Sequence, residues 1–97
     1  MHRVLFRPQA RDEFEAAGDW YERERAGLGV AFLEAVDEQL ARIAANPLLY
    51  PAVHRGIRKA ALRRFPYCIY FRPRGDAIVV LAIFHTARNP ATWKRRT

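Results

Sequence analysis

The residues best suited to chemistry are a histidine and a set of arginines in the second half of the chain. His85 follows the most apolar stretch, residues 77–84, and is itself followed by Thr86, Ala87 and Arg88. An imidazole titrates near neutral pH, so a histidine at the rim of a basic surface is suited to act as acid or base on a phosphodiester. Arg63, Arg64, Arg72 and Arg88 are the nearby cations able to hold a phosphate in a bidentate fork and stabilise developing charge. Metal-independent RNA cleavage needs a base, an acid and such a cation, so its candidate set is His85 with Arg63, Arg64 and Arg88. The plainer alternative is that His85 ends a strand and hydrogen-bonds the backbone of the tail.

Other chemistries find little support. The spacing of His2, His54 and His85 matches no metal signature, and a single cysteine excludes an intramolecular disulfide and a cysteine cluster for zinc. Two-metal hydrolysis needs clustered carboxylates, whereas the second half holds only Asp76, in a turn. No metal or cofactor is expected. Cys68 reads as a small buried hydrophobe, since nothing near it in sequence would activate it. Tyr67, Tyr70 and Trp93 lie among the basic residues and are able to stack on bases. The two tyrosines fall on opposite strand faces, so at most one is free to do so, and Trp93 is expected to pack.

Charge divides the chain. Of its 97 residues, 17 are basic, 15 of them Arg, against 10 acidic, a formal net charge of +7. Residues 1–50 carry six basic and nine acidic side chains; residues 51–97 carry eleven basic and one acidic. The basic half is also rich in apolar residues, so it reads as a folded surface rather than a disordered tail. An anionic partner follows, with Arg58, Lys59, Arg63, Arg64, Arg72 and Arg88 as its expected contact surface. Residues 1–10 lack the apolar core of a secretion signal, and no apolar run is long enough to span a membrane. A cytoplasmic protein without membrane contact is expected.

The elements that must position these residues read as one domain over 1–97. Residues 2–7 form a strand with Val4 and Phe6 on one face and Leu5 on the other. A helix runs from residue 8 or 9 to 25, with Ala10, Phe14, Ala17 and Tyr21 as its inward stripe, widened by Trp20. Asp12, Glu15, Asp19 and Glu22 form its solvated face. After the punctuation of Gly27 and Gly29, a second helix covers 30–45, with Leu33, Val36, Leu40 and Ile43 inward and Asn46-Pro47 as its stop. Residues 47–56 connect to strands at 57–64, 65–72 and 77–84, the last apolar on both faces and therefore central. The result is an α+β fold: a two-helix hairpin on one face of a largely antiparallel sheet, with the basic set partly on the helix-free face.

The chain resembles the RelE/ParE superfamily, the toxins of type II toxin–antitoxin modules, and within it the ParE-like, plasmid-stabilisation branch. The likeness covers nearly the whole chain: W-Y at Trp20–Tyr21, G-L-G-x-x-F from Gly27 to Phe32, the helix ending in N-P at Pro47, R-R-F-P-Y from Arg63 to Tyr67, and F-H-x-x-R-N-P-x-x-W from Phe84 to Trp93. It implies a growth-inhibiting toxin neutralised by a cognate antitoxin, whose C-terminal segment is expected to be acidic where it meets residues 51–97. ParE-like members are known for poisoning DNA gyrase, and RelE-like members cleave messenger RNA on the ribosome. The tail lacks the Tyr often found near the end of the cleaving toxins, which favours a non-enzymatic gyrase inhibitor. A ribosome-dependent endoribonuclease using His85 with Arg63, Arg64 or Arg88 is the alternative, followed by a non-toxic nucleic-acid-binding relative.

Overall fold

The computed structural model describes residues 2–96. Strand β1 (Arg3–Phe6) leads through Pro8 at the first helical position into α1 (Pro8–Glu24), and α2 (Leu28–Ala45) follows. A 3-10 turn at Pro47–Leu49 leads to β2 (Ala52–His54), β3 (Ile57–Ala61), β4 (Tyr67–Arg74) and β5 (Ala77–His85), and a short helix α3 (Ala91–Lys94) closes the chain. The five strands form one sheet in the order β1-β5-β4-β3-β2, parallel only at β1–β5. No helix among the described residues is long and apolar enough to cross a membrane.

The expected α+β layers are present, with one strand more than the sequence reading anticipates. Strand β2 has three residues, too few for apolar alternation to register. It is joined to β3 by a two-residue turn at Arg55 and Gly56, both at positive φ, the backbone of a tight hairpin. Arginine in the first turn position replaces the usual Asn or Asp, so the sequence does not announce the hairpin.

The strands also end elsewhere than expected. β3 stops at Ala61 because Phe65 leaves the ladder and plugs the helix layer, with ring centroids 4.9 Å from Tyr21 and 5.3 Å from Phe32. β4 begins only after Pro66 and continues through Arg74. It tolerates Pro73 because pairing with β3 ends at Phe71, so no β3 partner is lost there.

Leu81 is an extra residue in β5 opposite the Tyr70–Phe71 step. The bulge keeps Val80 and Ile83 on the helix side and puts Leu81, Ala82 and Phe84 on the other. The helix side holds the main core, including Phe32, Val36, Ile43, Ile69, Phe71 and Val80. The other side is not left open, as expected, but carries a second cluster of Ile57, Cys68, Tyr70, Leu81, Ala82 and Phe84 capped by Trp93 of α3. Trp93 stacks on Tyr70 with centroids 4.1 Å apart, so both have the packing role expected for Trp93.

Two apolar assignments in the helices change. Trp20 is half exposed, its ring edge-on to Tyr21, and Leu33 is partly exposed while Phe32 takes the inward place. The reason lies in the close crossing of α1 and α2 at Gly18 and Gly29. A Cβ at Gly29 would sit 2.7 Å from the Gly18 carbonyl oxygen, so only glycine fits there. This contact turns α2 so that Phe32, Val36, Leu40 and Ile43 face the sheet and Leu33 lies over Gly18. Glu22 is not a solvated side chain either. Its carboxylate accepts the Gly27 N–H at 2.9 Å and the Gly29 N–H at 3.0 Å, capping α2 from the preceding helix.

Candidate functional site

The C-terminal half of β5 runs past the end of β1, whose pairing finishes at Phe6 and Val80. The edge groups left there are taken by side chains. Glu13 of α1 accepts the Ile83 N–H at 3.1 Å, and Arg96 donates to the Leu81 carbonyl at 3.0 Å. The two side chains also bind each other, Arg96 to Glu13 at 2.8 and 2.9 Å, and both are largely buried. Arg88 adds a third contact to the Glu13 carboxylate at 3.2 Å and lies over the Phe84 ring, 4.0 Å from its centroid. One carboxylate thus ties α1, the β5 edge, the Arg88 turn and the chain end together. Sequence reasoning missed Glu13, since a lone acid beside an apolar stripe carries no signal of its distant partners.

His85 ends β5 between two recesses. On the helix side Trp20, Tyr21, Pro66 and Tyr67 surround it, with its ring edge-on to Tyr67 at 5.2 Å. On the opposite side a recess of about 280 Å3 is lined by Lys59, Tyr70, His85, Arg88, Trp93 and Lys94. His85 Nδ1 accepts the Ala87 N–H at 3.0 Å. That bond places the proton of the neutral ring on Nε2, which makes Nε2 a donor. In that tautomer the ring can present its Nε2–H to an acceptor.

Burial acts on several of the neighbouring titratable groups. Burial pushes the Cys68 thiol above its usual range, which suppresses the thiolate. Burial likewise raises the phenols of Tyr21, Tyr67 and Tyr70, so all three are neutral at physiological pH.

The expected arginine surface is not gathered into one patch. Arg58 pairs across β3–β4 with Phe71 on the helix side and donates to the Tyr50 carbonyl. Lys59 lies opposite Tyr70 on the other face, and Arg72, next to Phe71 in β4, also points away from the helices and contacts the Arg55 carbonyl. Arg63 and Arg64 sit in the β3–β4 loop against α2, and Arg88 is drawn to Glu13. Alternation along β3 and β4 separates what clustering in the sequence suggested. What the fold does bring together is His85 with Lys59 and Arg88 around one recess, and Arg63 with Arg64 around another.

Comparison with known proteins agrees with this architecture. The family model described as the ParE toxin of type II toxin–antitoxin system, parDE, matches residues 4–90. The chain is similar in structure to a chromosomal ParDE toxin–antitoxin system from P. aeruginosa. The TM-score is 0.76 and the identity 21%, over 88% of this chain and 96% of that one, a likeness of fold. No curated protein matches the sequence. With the family model spanning nearly the whole chain, from β1 through the Arg88 turn, the protein belongs to the ParE toxin family of type II toxin–antitoxin systems.

Proposed function

We propose that the chain is a growth-inhibiting toxin that acts in the cytoplasm by binding and poisoning DNA gyrase, without enzymatic activity of its own, and that a cognate antitoxin neutralises it. The observation that carries this reading is the match to the ParE toxin family over residues 4–90. The state of His85 supports the non-enzymatic part. Its Nδ1 is engaged by the Ala87 N–H, and the adjacent Arg88 contacts the Glu13 carboxylate. The antitoxin half of the reading rests on charge. Residues 51–97 carry eleven basic side chains against one acidic, a complement to an acidic segment.

The alternative, ribosome-dependent RNA cleavage, draws on the recess where His85 meets Lys59 and Arg88. Induced expression of the chain and of His85→Ala separates the two. Gyrase poisoning predicts that both arrest growth, with DNA damage and intact messages. Cleaved messages that disappear with His85→Ala would overturn the proposal in favour of the nuclease.

A further inference from the structure

We infer that the cleft between α2 and the β3–β4 loop is a carboxylate-binding site, formed by Arg42, Arg63 and Arg64, that receives an acidic side chain of the antitoxin. This inference rests on the toxin reading above and specifies where its partner is held.

The site joins residues that are distant in sequence and opposite in regional charge. Arg42 belongs to the net-acidic half, yet α2 carries it to the loop that holds Arg63 and Arg64. The three guanidinium side chains line one cleft of about 180 Å3, together with Ala35, Leu62 and Glu38. Arg63 makes no hydrogen bond or ion pair among the described residues, and Arg64 only lies over the Phe65 ring at 6.0 Å. Glu38 shares the wall but pairs with none of the three. Three cations around a concavity with one unengaged anion leave a local excess of positive charge, which an incoming anion would relieve.

The cleft is also braced. Gln39 donates through Nε2 to the Ala61 carbonyl at the end of β3 and accepts from Arg42 Nη1 at 3.2 Å. This amide links α2 to the sheet and holds Arg42 at the loop, so part of the ordering cost of binding is met before a ligand arrives.

The shape favours a peptide carboxylate over a nucleic-acid backbone. A polyanion needs cations in a row, whereas Arg58, Arg72 and Arg88 point to other parts of the molecule. A small cleft whose lining includes Ala35 and Leu62 beside the arginines matches one acidic side chain flanked by an apolar one.

The test uses the full chain in two measurements. In the first, arginine side-chain NMR signals are followed while glutarate is added, and separately a short single-stranded DNA. Arg42, Arg63 and Arg64 are expected to shift together and ahead of the other arginines with glutarate. Uniform shifts over all arginines, or a stronger shift of these three by DNA, would overturn the carboxylate assignment. In the second, affinity is measured for the antitoxin encoded beside the toxin. Arg42→Gln and the Arg63→Gln/Arg64→Gln pair are each expected to weaken binding about tenfold or more, the size of a lost charge-assisted contact. Arg74→Gln, which removes one charge elsewhere, is expected to change it less than about twofold. Tight binding unaffected by the cleft variants overturns this inference alone; no binding by the unaltered chain overturns the toxin reading as well.

Discussion

Replacing Glu13 with alanine tests how much one carboxylate contributes to this fold. The change removes the contacts to Arg96 and Arg88 and leaves the Ile83 N–H without its acceptor. The Glu13 and Arg96 side chains are only 14% and 15% exposed, so the stranded guanidinium stays largely out of water. Breaking a buried pair by removing one partner costs about 3–5 kcal/mol. The residual exposure, and the bond that Arg96 keeps to the Leu81 carbonyl, place the expected loss near the lower end, about 3 kcal/mol. For a domain of this size that lowers Tm by roughly 15 °C. Thermal unfolding followed by circular dichroism measures it. Asp76→Asn is the reference, because the Arg3–Asp76 pair is 66% and 77% exposed. Its loss is expected to leave Tm nearly unchanged. Removing both buried partners, as in Glu13→Leu/Arg96→Met, is expected to recover part of the loss, since no charge is then stranded. A Glu13→Ala protein as stable as Asp76→Asn would refute the reasoning.

Three further outcomes follow from the packing and the tyrosines. Gly29→Ala is expected to destabilise by about 1–3 kcal/mol in denaturant unfolding, because overpacking at the helix crossing outweighs the gain in helix propensity. Trp93→Ala is expected to cost about 3–5 kcal/mol and to uncover Tyr70, seen as a rise in tyrosine accessibility to quenchers. The tyrosine contribution to stability is expected to be level from neutral pH up to about pH 10 and to fall above it. Tyr21, Tyr67 and Tyr70 have raised folded pKa values, so their contribution is complete below the unfolded value of 10.0 and is lost as pH climbs through the folded ones. A pH titration of Tm checks the sign.

Much of the fold was legible because it is written in periodicity. Val4 and Phe6 against Leu5, the α1 stripe through Ala10, Ala17 and Tyr21, and the doubly apolar β5 all sit as alternation and helical spacing require. The opposite faces of Tyr67 and Tyr70 follow from the same rule. The features that escaped depend on single side chains acting at a distance. Phe65 leaves its strand to fill the helix layer, Glu22 caps the next helix, and Glu13 satisfies the edge of β5. None of these produces a repeat in the sequence. The arginines show a related limit: a cluster in sequence becomes a cluster in space only where alternation and loops allow it. Here β3 and β4 send Arg58 and Arg72 to opposite faces, while Arg42, counted with the acidic half, joins Arg63 and Arg64.

The most direct test of the functional account is a gyrase assay with the purified chain, relaxed plasmid and ATP, run beside a ribosome programmed with a defined message. The account predicts that supercoiling is inhibited and that linear, gyrase-cleaved DNA accumulates with increasing protein, while the message stays whole. Undisturbed supercoiling together with a cut message would contradict it.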